Sequence, residues 1–339
     1  MFELLKKLCA LNGASGDESA VADFITGEIG AGNTVVQKDN MGNVLVFKKG
    51  GQTPNKKIMF AAHMDEVGFI VTDITEEGFL RFSPVGGISP SAVFGRSVIF
   101  KNGARGVIGG VPVHLLNEDE KGKQPDVEDL LIDIGASDKT EAEKHVRRGD
   151  CCCFCGEFSR LGGGRISAKA IDDRLGCAIM LDMLRTDLEY DCSFAFTVQE
   201  EIGCRGAAAA AFNLEPDICV ILEATTACDI PGVSESDRVC GLGMGTAVSY
   251  MDKSAVYDKE LYNMAFEVAR KNNLKCQTKT KITGGNDGGA IHKALGGIRT
   301  IALSCPCRYL HTPSCVIDGG DLTEMRILAG KLLNKFALL

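Results

Sequence analysis

The chain has 339 residues, 45% hydrophobic and 24% charged, enough for one large domain and a smaller one. Its formal net charge of −8 argues against a nucleic acid or an anionic membrane surface as partner, since both are polyanions. No apolar run reaches the length needed to cross a bilayer.

At the N-terminus, Leu4, Leu5, Leu8 and Leu11 are interrupted by Lys6 and Lys7. That is the spacing of an amphipathic helix and not of a signal peptide, so a cytoplasmic protein is expected. Ser15 and Glu18 fit a capping box ahead of a helix reaching about Ile29. Residues 34–49 read as a hairpin turning near Asn40 to Asn43, and residues 57–62 as a buried strand that ends at His63. From Val67 to Arg165 the texture changes to short β-like runs rich in glycine, with one helical stretch near 137–150. This reads as an inserted β-rich, barrel-like domain over residues 67–165, with the glycines at 162–164 as its return point.

Helix and strand then alternate again. Helices are expected at Asp173 to Arg185, Gly206 to Phe212, Lys259 to Asn272 and Leu322 to Phe336. Strands are expected at 193–198, at 217–222 ending in Glu223, and at 299–304. Such alternation predicts an α/β fold with a mostly parallel sheet sandwiched by helices, built from residues 1–66 and 166–339. The 15 cysteines are odd in number and scattered, many of them in apolar segments such as those of Cys177, Cys192 and Cys219. They read as free thiols of a reducing compartment. The run Cys151, Cys152, Cys153 and Cys155 lacks a second ligand pair at similar spacing, so packing is its expected role.

In open α/β sheets ligands sit outside the carboxyl ends of the strands. His63, Asp65, Glu200, Glu201, Glu223 and His311 all fall at or after such ends, and Asp172 and Asp173 open a helix. Each has a bland reading: a structural histidine, a surface Glu-Glu pair, an Asp-Asp helix cap. Gathered on one rim, they would be costly without cations, because like charges repel and lose hydration. A pair of divalent ions removes that difficulty, and imidazole with carboxylate suits zinc, cobalt or manganese.

His63-Met64-Asp65-Glu66-Val67-Gly68, Asp172-Asp173-Arg174, Gln199-Glu200-Glu201-Ile202-Gly203 and Tyr309-Leu310-His311-Thr312, with the loop at 284–292, resemble the TET (tetrahedral) metallo-aminopeptidases. That family includes glutamyl and deblocking aminopeptidases and proteins once described as endoglucanases. The resemblance implies two divalent ions, zinc in the first instance. His63, Asp172 and Glu223 would hold one, and Asp172, Glu201 and His311 the other, with Asp172 bridging. It implies Glu200 as general base, Asp65 as the group that orients His63, and a cis bond at Asp172-Asp173. It implies peptides as substrates, dimers formed through the β-rich domain, and a dodecameric shell. One departure is Glu223, where the family usually has aspartate; Asp229 falls beyond the strand end and is a poorer substitute.

Other chemistries find less support. No G-x-S-x-G or H-E-x-x-H motif is present, and Gly241 to Gly245 lacks the spacing of a dinucleotide loop. His114, His145 and His292 read as structural. A glycosidase using paired carboxylates would not need His63 and His311. A deacylase using the same two-metal chemistry and a non-catalytic shell protein are the remaining alternatives.

Overall fold

Two kinds of strand occur along the chain, and they build two separate sheets. The computed structural model describes residues 1–30, 32–115 and 125–339. The first strands are β1 (Thr34–Lys38), β2 (Val44–Lys48) and β3 (Ile58–His63). Next come β4 (Gly68–Ile74), β5 (Leu80–Val85), β6 (Ser97–Phe100), β7 (Arg105–Gly109), β8 (Leu131–Asp133) and β9 (Cys151–Phe154). The rest are β10 (Ser159–Arg160), β11 (Arg165–Ala168), β12 (Cys192–Thr197), β13 (Ile218–Thr226), β14 (Thr246–Ser249), β15 (Cys276–Thr278), β16 (Arg299–Arg308) and β17 (Cys315–Asp318). The α-helices are α1 (Phe2–Ala10), α2 (Ser19–Glu28), α3 (Lys139–Ala142), α4 (Ile171–Leu184), α5 (Ala207–Leu214), α6 (Lys259–Lys271), α7 (Gly288–Ile291) and α8 (Gly319–Phe336).

Strands β3 and β13 are buried along almost their whole length, as strands covered on both faces must be. They lie in an eleven-stranded sheet of order β1-β2-β12-β3-β13-β16-β17-β11-β10, with β14 and β15 branching from β16. The expected parallel pairing holds for the central strands β12, β3, β13 and β16, while the flanking pairs are largely antiparallel. Both β13 and β16 run several residues past the expected ends, so Glu223 sits within β13, opposite Ser304, and not at its tip. By contrast β5 and β7 alternate buried and exposed residues. They belong to a closed barrel, β4-β5-β8-β7-β6-β9, with its own apolar core. Phe69 fills that core, edge-on to Phe82 at 5.2 Å and to Phe154 at 5.1 Å. Cys152 lies in the same core, on β9.

The capping box expected at Ser15 and Glu18 is not formed. Glu18 is the N-cap of α2 but makes no side-chain cap. Its carboxylate instead accepts from the amides of Gly16 and Gln199, and the Ser15 hydroxyl donates to Asp65 at 2.6 Å. Long-range partners thus outcompete the local cap.

Helix α4 is buried on nearly every side, which suits its position between the sheet and α1. It also buries a charge. Arg174 is fully enclosed and bonds the Leu8 carbonyl at 2.7 Å and Glu66 at 3.3 Å. Lys169 reaches the same Glu66 carboxylate at 2.6 and 2.8 Å. Removing the shared anion would strand two buried cations, a loss of about 3–5 kcal/mol. Glu66→Gln should therefore lower the denaturant midpoint by that equivalent; an unchanged midpoint would contradict the role given to this network.

Candidate active site

The chain leaves β3 at His63 and β12 at Thr197, residues that face each other across adjacent parallel strands. A single side chain fastens the segments beyond both strand ends. The fully buried Asp65 accepts the Glu200 amide at 3.0 Å on one oxygen, and the Glu201 amide at 3.1 Å and the Ser15 hydroxyl on the other. Gln199 turns the chain with a left-handed φ of 57°. Glu200 and Glu201 are thereby aimed over the strand ends. Asp172 enters from the start of α4, where its peptide bond to Asp173 is cis. His311 arrives on the loop between β16 and β17, in which Tyr309 and His311 are both left-handed.

All of these side chains meet. Asp172 faces both ways: Oδ1 lies 3.3 Å from His63 Nε2, and Oδ2 lies 3.4 Å from His311 Nε2. Glu223 Oε1 is 3.6 Å from His63 Nε2, and Glu200 Oε2 is 4.0 Å from it. Glu201 Oε1 is 3.2 Å from His311 Nε2. Asp229 is turned elsewhere, gripped by Arg308 at 2.5 and 2.9 Å.

The ring nitrogens decide what this arrangement can hold. His63 Nδ1 lies 3.1 Å from the Asp65 carbonyl, and His311 Nδ1 lies 2.6 Å from the Gly87 carbonyl. A carbonyl can only accept, so each Nδ1 carries a hydrogen, and in the neutral ring each Nε2 lone pair points at carboxylates. Acceptor facing acceptor is repulsive unless a cation lies between them. In keeping with this, Asp172 Oδ1 and Glu201 Oε1 are buried with no hydrogen-bond partner. Nitrogen and oxygen donors about 2.0–2.2 Å from a tetrahedral ion stand about 3.4 Å apart, which matches the separations here. Among the described residues, His63 with Asp172 and Glu201, and His63 with Asp173 and Glu223, are groups close enough to share an ion.

Charge tells the same story. Burial pushes the Glu200 carboxyl up to about 8, and raises those of Glu201 and Glu223 as well. Burial opposes a charge on His311, but the Asp172 and Glu201 carboxylates beside it prevail and carry it up to about 11. Without a metal, protons fill the gaps.

Comparison with known proteins bears directly on this centre. The M42 glutamyl aminopeptidase family model matches residues 42–328. The chain belongs to the M42 glutamyl aminopeptidase family. It is a metal-dependent aminopeptidase, a hydrolase, and the clustered donors fit the divalent ions that M42 membership implies. A putative aminopeptidase of Acetivibrio thermocellus is 41% identical over 328 residues, covering 96% of each chain. An aminopeptidase from the archaeon Desulfurococcus kamchatkensis superposes with a TM-score of 0.93 at 34% identity, over 98% of this chain and 94% of that one. The TET1 peptidase of Pyrococcus horikoshii, which can assemble into a tetrahedron or a large octahedral shell, superposes at 0.86 with 34% identity over 98% of both.

Several residues of this M42 site lie outside the ligand and base set expected from sequence. Ser15 and Gly87 support it through bonds to distant partners. Gly86, at φ 89°, has no room for a side chain, because a Cβ would meet Val67 at 2.8 Å and Glu201 at 3.2 Å. Asp173 is fully buried and accepts the Gly176 amide at 3.0 Å, leaving Oδ2 unpartnered. Cys204 and Asp287 also border the centre; only the position of Asp287 in the glycine-rich loop hinted at it. The remaining histidines stand apart: His114 and His145 are exposed, and His292 bonds the Gly288 carbonyl. Cys151 to Cys155 contribute to no candidate ion-holding group among the described residues.

The raised His311 has a measurable consequence. In the metal-free protein at pH 7 it lies below its pKa and is protonated, whereas a metal ligand must be neutral. Loading zinc into stripped protein at pH 7 should therefore release protons, as seen with a pH indicator in weak buffer. Loading with no proton release would contradict the electrostatics described here.

Proposed function

We propose that this M42 enzyme is a two-metal aminopeptidase that removes N-terminal residues from peptides by general-base hydrolysis. The observation that carries the reading is Asp172, with one oxygen toward each imidazole. His63, Asp172 and Glu223 would hold one ion, and Asp172, Glu201 and His311 the other. Zinc fits the nitrogen and oxygen donors best, with cobalt or manganese as substitutes. When bound, such a pair would activate a water and polarise the scissile carbonyl. The Glu223 carboxylate reaches within 3.6 Å of His63.

Glu200 is the general base. Its carboxyl group, pushed up to about 8 by burial when no metal is present, is poised to take a proton from the attacking water and pass it to the leaving amine. Cations bound beside it would pull that value down toward the working range. Asp65 fixes the geometry: its carbonyl sets the His63 tautomer and its carboxylate holds the backbone of Glu200 and Glu201. The free amine of the substrate would be drawn to the acidic rim, which restricts cleavage to N-termini.

The same reading makes residues 67–165 a dimerisation domain inserted between catalytic segments 1–66 and 166–339. The dimers would assemble further into a closed shell, as the Pyrococcus horikoshii relative does. The 15 unpaired cysteines suit a reducing cytoplasm. Among the described residues, no helix is long and apolar enough to cross a membrane.

The experiment is a peptide panel, unblocked and N-acetylated, given to stripped protein reloaded with zinc, cobalt or manganese. Metal-dependent release from unblocked peptides alone is expected. Glu200→Gln should keep its metal and lose about 10²–10⁴-fold in kcat, the usual reach of general-base catalysis. Retained turnover in that variant would remove Glu200 from the role. Light scattering on the same preparation that gave a monomer mass would remove the assembly.

A further inference from the structure

A second set of donor atoms converges beside the imidazole–carboxylate centre. Glu200, Cys204 and Asp287 each present one, all within 4.8 Å of one another. Cys204 reaches this position because the chain turns left-handed at φ 53°, with its amide bonded to the Glu200 carbonyl. Its Sγ lies 3.5 Å from Glu200 Oε1. Asp287 comes from the glycine-rich loop before α7 and is only 2% exposed. Its Oδ2 takes the Thr197 hydroxyl at 2.5 Å, while Oδ1 is buried with no hydrogen-bond partner.

An unpaired oxygen on a buried carboxylate is expensive. Here the Asp287 carboxylate stands with a thiol and a second carboxylate, a donor set that a cation would complete. Sulfur selects the occupant: thiolate favours zinc and similar soft ions over magnesium or calcium. Cys204 and Glu200 are both partly exposed, which leaves an entry path and room for a water as a further ligand.

We propose that Glu200, Cys204 and Asp287 form an additional, inhibitory site for a thiophilic divalent cation such as zinc, separate from the centre between His63 and His311. On binding, the Cys204 thiol gives its proton to solvent and the sulfur coordinates the ion; no redox change is involved. An ion held there occupies Glu200, so the group that should accept the proton of the attacking water is engaged. The inhibition rests on Glu200 being the base; the binding does not.

Cobalt(II) titration of the stripped, full-length protein reads the binding directly. The centre between His63 and His311 offers only nitrogen and oxygen donors, so a near-ultraviolet thiolate-to-cobalt charge-transfer band reports Cys204. That band should appear as cobalt rises beyond what the first centre takes up, and should vanish in Cys204→Ser. Asp287→Asn keeps the thiol and should shift the band to about 10-fold or more higher cobalt, at least what losing even a group that supports a ligand costs. Inhibition by excess zinc should weaken by a similar factor in Cys204→Ser, with far-ultraviolet circular dichroism unchanged. Absence of the band, or its persistence in Cys204→Ser, overturns the site. The separate failure of Glu200 as base would show as a Glu200→Gln variant that stays active, whatever the band does.

Discussion

Two imidazoles whose lone pairs are turned onto carboxylates form the constraint on which the site depends. The Asp65 and Gly87 carbonyls take the Nδ1 hydrogens, so His63 and His311 cannot relieve the contact by rotating a hydrogen into it. A neutral, metal-free arrangement of these groups would be repulsive and poorly solvated. Positive charge has to be supplied, either by protons or by metal ions, and membership of the M42 family implies divalent ions for this chain.

The fold delivers this constraint from both of its parts. Parallel strands β3 and β12 end side by side, β13 carries Glu223, and the loop after β16 carries His311. The carbonyl that fixes His311 belongs to Gly87, in the loop after the barrel strand β5. A small hollow lined by Val67, Phe154, Asp172, Glu201, His311 and Thr312 lies where barrel and sheet rim meet. The barrel is therefore part of what shapes the site. Beneath it, Glu66 binds Lys169 and Arg174 in the interior, one residue from the Asp65 that fastens the rim. Packing and chemistry share one short segment of chain.

Much of this was legible in the sequence, for physical reasons. Continuous apolar runs such as Ile58 to Ala62 announce buried strands, and polar residues at their ends announce a rim. His63, Glu200, Glu201, Glu223 and His311 were picked out this way and Asp172 as the opening of a helix, while their roles came from the resemblance to the TET aminopeptidases; the structure brings all six within a few ångströms of one another. What escaped was set by contacts between distant segments. Ser15 has the local spacing of a helix cap, yet Asp65, 50 residues away, takes its hydroxyl. The extra length of β13 and β16 comes from their mutual pairing through Thr226 and Cys307, which no local pattern announces. Asp287 was hinted at only by its place in the glycine-rich loop at 284–292 and Cys204 by no local pattern; their convergence on Glu200 is made by the fold.

The central claim is that Asp172 lies between two cations. Anomalous diffraction at the zinc edge, on crystals grown from zinc-loaded protein, tests it most directly. The account predicts two peaks about 3.5–4 Å apart, one on each side of the Asp172 carboxylate and each within bonding reach of one imidazole Nε2. A single peak, or peaks placed away from Asp172, would contradict it.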